Sequence, residues 1–319
     1  MRFPHFQQLH QINSAGLADE ARRGLAQQPA SVSPKFLYDA LGSRLFDAIT
    51  ELPEYYPTRT EAAILGVHSP QIAAAVRDHV GSHPALVDLG AGNCVKAARL
   101  FDALTPSRYV AVDISVDFLH QALECLQRQY PDMAMDGVGL DFSSRLTLPA
   151  GLVTQPAVVF YPGSSIGNFS HDDALRLLRE ARELSAGGCL LIGVDLVKPV
   201  ELLVPAYDDE LGVTGAFNLN LLCHLNRLVG SDFSVRDWQH VALFNPGPSR
   251  IEMHLHSRRA QTVHWHGGER RFAAGERIHT ENSYKWRLED FEALLRQAGY
   301  ANVRSWTDPL RWFAVVVAG

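Results

Sequence analysis

Short apolar runs alternate with helical patterns between residues 86 and 196, and this alternation constrains the fold of the 319-residue chain more than any other feature. The apolar runs are residues 85–89, 109–112, 138–140, 157–161 and 189–194. Parallel strands need long crossover connections, and the segments between the runs, such as residues 172–184, carry apolar side chains at helical spacing. The pattern therefore predicts βαβ units that build a parallel sheet, an α/β fold.

The pattern changes after residue 196. Residues 213–229 are helical in periodicity, and the segments that follow alternate with the period of a strand, at residues 238–244, 251–256 and 261–265. The chain then returns to its first style, with a predicted helix at residues 288–299 and predicted strands at residues 303–306 and 312–317. We therefore predict a β-rich insertion within one nucleotide-binding fold, whose sheet edge the last two strands close.

The first eighty residues predict helices, for example residues 35–41 after Ser33-Pro34 and residues 61–65 after Thr58. Residues 47–57 (DAITELPEYYP) are unusually rich in aromatic residues and proline for a connection between helices. Such a segment could form a lid or a pocket wall, or its aromatic side chains could pack against the core. The sequence leaves these two interpretations open.

Charge and composition exclude several classes of function. The net charge is −6, and Lys and Arg are scattered along the chain, so we expect no nucleic-acid partner. No apolar run is long enough for a signal peptide or a membrane span, which favours a cytoplasmic protein without membrane contact. The four cysteines are Cys94, Cys125, Cys189 and Cys223. Their spacing is too wide for a zinc-binding or redox motif.

A glycine turn follows the first predicted strand of the parallel sheet. Residues 87–93 (VDLGAGN) place Gly90 and Gly92 where the chain must bend and let a ligand approach the backbone. Asp113 ends the next strand, where a carboxylate can accept hydrogen bonds from a ribose diol. Val95 occupies the third small position of a dinucleotide-binding motif, so a nucleoside without a pyrophosphate is favoured over a nicotinamide cofactor.

Asp141 and Phe142 follow the third run of the sheet. An acid and an aromatic ring at this edge suit the amino group and the face of an adenine. Asp141 could equally be an ordinary turn residue at the end of a strand. Position alone does not separate the two interpretations.

Three long motifs resemble the histidine-specific methyltransferases of ergothioneine biosynthesis. They are residues 33–39 (SPKFLYD), 51–61 (ELPEYYPTRTE) and 161–169 (YPGSSIGNF), and the resemblance spans nearly the whole chain. It implies a Rossmann-like class I methyltransferase sheet with a second lobe made of N-terminal helices and an inserted α+β segment. It also implies S-adenosyl-L-methionine (SAM) as cofactor, S-adenosyl-L-homocysteine (SAH) as its product, and no metal.

The implied reaction is trimethylation of the α-amino group of L-histidine to give hercynine. The resemblance divides the chain into an N-terminal helical part of the substrate lobe (1–60), a SAM-binding core (61–196), an inserted α+β substrate-binding part (197–285) and a C-terminal helix and strands that complete the core sheet (286–319). We expect a monomer whose only partners are small molecules.

The resemblance assigns site residues one by one. Asn168 and Tyr207 match the positions that hold the substrate carboxylate, and a neutral amide and a phenol can do so without placing a fixed cation beside the sulfonium. The positions matched to the amine are Tyr56, Tyr38 and the backbone of Gly163, and we expect catalysis to depend on Tyr56, Asn168 and Tyr38. The residues expected at the cofactor are Tyr38, Phe46, Gly90, Gly92, Lys96, Asp113, Asp141 and Phe142.

Glu281 and Ser283 match the positions that bind the two nitrogens of the imidazole ring, with Met253 as a wall of the same pocket. Binding leucine or phenylalanine there would leave Glu281 buried and unpaired, which predicts strong selection for histidine. The chain departs from the common pattern at Cys94, where many methyltransferases carry the last glycine of the turn, and at Asn282, between the two selecting residues.

Other functions fit parts of the sequence. His254, His256, His264 and His266 form two His-x-His pairs on predicted neighbouring strands, where they could bind zinc, although solvated strand faces explain the pattern more simply. A nicotinamide-dependent oxidoreductase and a non-catalytic amino-acid-binding module are further alternatives. A related methyltransferase acting on tryptophan is the nearest one, and its pocket should lack the Glu281 and Ser283 pair.

Overall fold

A computed structural model describes residues 2–9 and 14–319, so Met1 and residues 10–13 of the predicted N-terminal part lie outside the described residues. The chain forms two compact units. Unit 1 comprises Met1–His10, Pro57–Val197 and Lys285–Gly319, and unit 2 comprises Gln11–Tyr56 and Lys198–Tyr284. Within the described part of the chain, no helix has both the length and the apolar character needed to cross a membrane.

The secondary structure follows the chain in this order. The helices are α1 Ser14–Ala26, α2 Ala40–Thr50, α3 Tyr56–Val67, α4 Ser69–Val80, α5 Val95–Ala98, α6 Phe101–Leu104, α7 Val116–Gln129, α8 His171–Leu184, α9 Val200–Leu203, α10 Val213–Val229 and α11 Leu288–Gln297. The strands are β1 His5–Gln8, β2 Ala30–Ser31, β3 Ala85–Leu89, β4 Arg108–Asp113, β5 Ala134–Gly139, β6 Ala157–Tyr161, β7 Cys189–Asp195, β8 Trp238–Asn245, β9 Arg250–Ser257, β10 Gln261–Trp265, β11 Gly268–Phe272, β12 Arg277–Tyr284, β13 Val303–Thr307 and β14 Phe313–Ala318. Short 3₁₀ helices span Pro34–Leu37, Ser165–Asn168 and Val235–Asp237.

Unit 1 is built on an eight-stranded sheet in the order β1-β5-β4-β3-β6-β7-β14-β13. Its strands are parallel except β14, which runs antiparallel to both β7 and β13. The strand order reverses at β3, which has β4 on one side and β6 on the other, and ligands of such sheets bind outside the carboxyl ends of the strands at this point. The predicted Rossmann-like α/β sheet is confirmed, with β13 and β14 at its edge.

Unit 2 contains a four-stranded sheet in the order β2-β12-β9-β8 and a separate hairpin of β10 and β11. Helix α10 packs against β8 and β9, as well as against α1 and α2. One apolar face of α10 is buried, and it comprises Phe217, Leu221, Leu222, Leu225 and Val229.

The N-terminal prediction was partly wrong. The predicted helix at residues 35–41 is interrupted, because the 3₁₀ helix ends before Tyr38 and α2 starts anew after Asp39. The Asp39 carboxylate accepts a hydrogen bond of 2.8 Å from the backbone N–H of Gly42, so this side chain caps α2. The helical prediction also missed β1 and β2, and β1 pairs in parallel with β5 at the edge of the large sheet.

The aromatic segment 47–57 is mostly helical. Residues 47–50 complete α2, and α3 already begins at Tyr56, two residues before the predicted cap at Thr58. Tyr55 and Tyr56 are both buried, and the Tyr55 ring lies 6.2 Å from that of Phe46, centre to centre. The segment therefore contributes buried aromatic surface within unit 2 up to Tyr56.

Candidate active site

The glycine turn after β3 has the backbone conformation that its sequence predicts. Gly90 and Gly92 have φ values of 69° and 53°, in the left-handed region that glycine tolerates best. Cys94 adopts the same region with a φ of 62°, although it carries a Cβ and is completely buried. The turn thus keeps its shape where a third glycine is common, and the cost of a left-handed non-glycine residue, about 1–2 kcal/mol, falls on Cys94.

Asp113 at the end of β4 fixes the turn from the side. Its Oδ2 accepts the backbone N–H of Gly92 at 2.9 Å, and its Oδ1 accepts that of Ser115 at 2.8 Å. Burial raises the pKa of Asp113, while these N–H donors oppose that rise. Each carboxylate oxygen can accept more than one hydrogen bond, so the arrangement is compatible with the expected ribose diol.

Asp141 has a clear turn role. Its Oδ1 accepts the backbone N–H of Ser143 at 3.0 Å, as the turn interpretation expects. The neighbouring Phe142 ring packs edge-to-face on Tyr161, with centroids 5.8 Å apart. A Cβ added to Gly90 would lie 3.9 Å from Phe142 Cζ, so this ring borders the glycine turn.

Asp88 lies beneath the turn and was missed by the sequence analysis. It is 1% exposed, and its Oδ2 accepts a hydrogen bond of 2.8 Å from the Tyr109 hydroxyl. Burial is the main cause that raises the pKa of Asp88 to about 7. Its place two residues before Gly90, in an otherwise apolar strand, was the available signal.

The loop after β6 carries Gly163 and Asn168. Gly163 and Ser164 have φ values of 78° and 58°, and the 3₁₀ helix that follows ends at Asn168. The Asp195 backbone N–H donates to Ser164 Oγ at 2.8 Å, which ties the loop to the end of β7. The Gly163 N–H donates to Glu61 Oε1 at 2.7 Å, which ties it to α3.

Lys96 joins the same group. Its Nζ lies 3.0 Å from Glu61 Oε2, and a Cβ added to Gly163 would lie only 2.7 Å from that Nζ. Unit 1 therefore brings Lys96 together with Gly163 through Glu61, a residue within a motif noted above but given no role there. Three sets are thus placed in unit 1: the turn with Asp113, the ring of Phe142, and the Lys96 group.

In unit 2, Glu281 and Ser283 share one face of the sheet with Met253. Glu281 pairs with Met253 across β12 and β9, and Ser283 pairs with Ile251. An irregularity in β12 at Thr280 shifts the register, and the Thr280 hydroxyl donates to the Met253 carbonyl at 3.0 Å. Glu281, Ser283 and Met253 are 7%, 5% and 2% exposed, so the acid and the hydroxyl stand in buried surroundings.

Tyr207 reaches this pair. Its hydroxyl lies 2.7 Å from Ser283 Oγ, and its ring packs edge-to-face on Tyr55 with centroids 6.2 Å apart. The rings of Tyr38 and Phe46 are neighbours with centroids 5.6 Å apart, and Phe217 of α10 contacts both. The last contact was not predicted, since Phe217 reads as an ordinary core residue of its helix.

Tyr56 is 2% exposed and has a cationic neighbour that the sequence did not indicate. Lys198 Nζ donates to the Tyr56 hydroxyl oxygen at 2.9 Å and lies 4.4 Å from the centre of the ring. Lys198 itself is 8% exposed. Such a buried ammonium favours the neutral form of any amine held near the same phenol.

The two His-x-His pairs do not lie on neighbouring strands, as the zinc alternative required. Strand β9, which carries His254 and His256, pairs with β8 and β12, whereas β10 pairs with β11. His254 is buried beside Glu252, not solvated, and burial lowers its pKa to about 4. Across residues 2–9 and 14–319, no group of three or more His, Cys, Asp or Glu side chains is arranged to hold a metal ion.

The chemistry of these residues of unit 1 fits a nucleoside bearing an amino acid. The left-handed turn would let a ligand approach the backbone, Asp113 would offer acceptors to a diol, Phe142 a ring face, and Lys96 a cation to a carboxylate. SAM contains a ribose diol, an adenine ring and an amino-acid carboxylate, and it lacks the phosphates that a dinucleotide site must hold.

Several known proteins are similar in sequence to this chain over most of its length. A histidine N-alpha-methyltransferase of Mycolicibacterium smegmatis is 41% identical over 95% of this chain and 94% of its own, and one of Mycobacterium tuberculosis is 39% identical over 92% of each chain. Ergothioneine biosynthesis protein 1 of Neurospora crassa is 29% identical over 88% of this chain, which matches 32% of that longer protein. The model of the histidine-specific, SAM-dependent methyltransferases matches residues 17–319. Since that match covers both units, from the glycine turn to the Glu281 strand, the chain belongs to the family of histidine-specific, SAM-dependent methyltransferases.

Proposed function

We propose that this protein transfers three methyl groups from SAM to the α-amino nitrogen of L-histidine, giving hercynine and one SAH per transfer. The observation that carries the proposal is the buried pair of Glu281 and Ser283 beside Met253. An imidazole has one N–H donor and one acceptor nitrogen in its neutral form, and a carboxylate with a hydroxyl complements both. An apolar side chain offers neither a donor to the Glu281 carboxylate nor an acceptor to the Ser283 hydroxyl, which favours histidine over leucine or phenylalanine.

The backbone end of histidine is assigned to neutral donors. Asn168 and Tyr207 would bind its carboxylate, while Tyr56, Tyr38 and the Gly163 backbone would border its amine. Aromatic faces suit the trimethylammonium product, because each stabilises such a cation by about 0.5–2 kcal/mol without needing a hydrogen bond. An acid in their place would instead raise the pKa of the amine and oppose its deprotonation.

The cofactor is assigned to the turn and its neighbours. Gly90 and Gly92 would let SAM approach the backbone, Asp113 would accept the ribose hydroxyls, and Phe142 would contact the adenine, with Asp141 near its amino group. When bound, SAM supplies a methyl group on a sulfonium sulfur. Lys96 would pair with the carboxylate at the amino-acid end, and Phe46 would line the path of the methyl group.

The reaction needs alignment more than proton transfer by the protein. The amine lone pair would attack the methyl carbon that bound SAM supplies, and the electrons of the broken C–S bond would remain on sulfur. Each of the three transfers is preceded by loss of one proton from the ammonium to water. The protein's tasks are therefore to hold the neutral amine in line with the methyl carbon and to exclude competing water. Tyr56 would align the amine by contacting it, and Asn168 would do so by binding the carboxylate.

Mass spectrometry tests the proposal directly. The protein is incubated with SAM and, separately, with histidine, tryptophan, phenylalanine and leucine, and the methyl groups added to each are counted. We expect one, two and three methyl additions on histidine and none on leucine. Preferential methylation of tryptophan would replace the proposal by the related methyltransferase, and histidine binding without SAM consumption would indicate a binding module. Tyr56→Phe should slow turnover, and unchanged turnover would remove Tyr56 from the catalytic residues.

A further inference from the structure

Glu61 of α3 is a buried carboxylate with no place in the proposed reaction. It is 2% exposed, its Oε1 accepts the Gly163 N–H at 2.7 Å, and its Oε2 lies 3.0 Å from Lys96 Nζ. One side chain thus joins a residue assigned to the cofactor with a residue assigned to the substrate amine. All three residues belong to unit 1.

Two glycines make room for these contacts. A Cβ on Gly193 of β7 would lie 2.0 Å from Glu61 Oε1, so the carboxylate can lie there only because β7 has no side chain at this position. A Cβ on Gly163 would lie 2.7 Å from Lys96 Nζ in the same way. Burying a carboxylate is costly unless it is paired and hydrogen-bonded, and here Glu61 forms one ion pair, with Lys96, and accepts one backbone hydrogen bond, from Gly163.

We propose that Glu61 is a positioning residue that couples cofactor binding to histidine binding. The inference rests on the proposed function, because Lys96 and Gly163 take their roles from it. Glu61 fixes the position of the Lys96 ammonium through the ion pair. At the same time it accepts the backbone N–H of Gly163, in the loop that ends at Asn168. Loss of the Glu61 charge therefore disturbs both binding sites from one point.

Glu61→Gln is the decisive variant. Glutamine has the same size and keeps an oxygen that can accept the Gly163 N–H, but it has no charge to hold Lys96. We expect the Kd for SAH, measured by calorimetry, and the KM for histidine each to rise about tenfold, which corresponds to about 1.4 kcal/mol. If Glu61 had only a structural role, Glu61→Gln would lower the melting temperature but leave both constants unchanged at temperatures well below the melting temperature.

Asp136→Asn is the matched control. Asp136 is a buried acid of unit 1 that accepts hydrogen bonds from Arg108 Nε at 2.6 Å and Nη2 at 2.9 Å, and no role in either binding site is assigned to it. This variant should also lower the melting temperature, but its Kd for SAH and its KM for histidine should equal those of the wild type. If Glu61→Gln behaves like Asp136→Asn, the positioning role is refuted.

Lys96→Met tests the same link from the other side, and this partly exposed lysine can be replaced even if Glu61→Gln fails to fold. We expect a higher KM for histidine as well as a weaker affinity for SAH, and the double variant should bind SAH no more weakly than the worse single variant. Additive losses, or an unchanged histidine KM, would contradict the coupling. A wild type that does not methylate histidine would refute the proposed function, whereas the SAH cycle would still decide whether Glu61 acts through Lys96.

Discussion

The hydroxyl groups of Tyr207 and Ser283 lie 2.7 Å apart and form a hydrogen bond within unit 2. The two residues are assigned to opposite ends of the substrate, Tyr207 to the carboxylate and Ser283 to the imidazole. Because the two hydroxyl groups are hydrogen-bonded to each other, the proposed carboxylate contact of Tyr207 and the proposed imidazole contact of Ser283 depend on each other. Replacing one hydroxyl changes the surroundings of the other.

Ser283→Ala should therefore raise the KM for histidine and leave the Kd for SAH unchanged. The loss of one hydrogen bond to the ring and of the bond to Tyr207 predicts about 1–3 kcal/mol, or roughly a 5- to 150-fold change. Tyr207→Phe should have an effect of similar size, and the double variant should lose less than the sum, because both hydroxyls belong to one network. Steady-state kinetics with histidine measure all three.

Ser257→Ala is the control for Ser283→Ala. Ser257 is a buried serine of β9 whose hydroxyl donates to the Arg259 carbonyl at 2.7 Å, and it has no assigned substrate contact. It should destabilise the fold without changing the histidine KM. Equal KM values for Ser283→Ala and the wild type would remove Ser283 from the imidazole site.

The Lys198 ammonium beside Tyr56 predicts a pH effect on catalysis. A cation near the bound amine favours its neutral form, so it lowers the pH at which the amine becomes reactive. Because kcat reports the pKa values of groups in the enzyme–substrate complex, Lys198→Met should move the rising limb of kcat for histidine to higher pH by about one unit, while Lys198→Arg should keep it in place. Lys35→Met, which removes a lysine that pairs with Glu20 and faces the Phe36 ring, should leave the limb unshifted. An identical pH profile for Lys198→Met and the wild type would refute the effect.

Much of the fold could be predicted because strands such as β3 and β6 are short apolar runs and β10 alternates with the period of a strand. The predicted segments of β3, β6 and β10 match the observed strands residue for residue, and α10 agrees equally well. In contrast, β1 and β2 are short and polar, and they form only by pairing with strands that are distant in the sequence. Local periodicity contains no signal for such pairing.

The irregularity at Thr280 shows why local alternation is not enough for the site. Counting every second residue along β12 would put His279 on the same face as Glu281 and Ser283. The register shift between His279 and Glu281 instead leaves His279 opposite His254 and turns Glu281 towards the face of Met253. The pair was assigned by the family resemblance that the long motifs carry, whereas Glu61 and Lys198 acquire their neighbours only through tertiary contacts.

Cys94 predicts an effect of side-chain shape at the glycine turn. Cys94→Gly removes a buried thiol but relieves the left-handed conformation, and these effects oppose each other, so the free energy of unfolding should change by no more than about 1 kcal/mol. Cys94→Val adds about one methyl group to a fully buried site and has a branched Cβ that fits a positive φ poorly, so overpacking and backbone strain should together destabilise by about 2 kcal/mol or more and raise the Kd for SAH. Urea unfolding and calorimetry test the pair. Equal stability of the two variants would show that the turn does not constrain this residue.

The raised pKa of Asp88 predicts a pH-dependent stability of unit 1. The pKa of Asp88 is about 7 in the folded protein, against an ordinary value of 3.8, so between these pH values the folded protein binds more protons than the unfolded chain. The contribution of Asp88 to stability is therefore complete below pH 3.8 and is lost as the pH rises through 7. From pH 5 to pH 8 the loss amounts to about 3 kcal/mol.

Asp88→Asn cannot ionise, so its free energy of unfolding should improve relative to the wild type by about that amount over this interval, whatever the difference at pH 5. Asp209→Asn is the contrast, because the pKa of Asp209 is lowered and its contribution is constant in this range. Urea unfolding at several pH values measures both differences, and parallel curves for Asp88→Asn and the wild type would show that Asp88 does not titrate between pH 5 and pH 8.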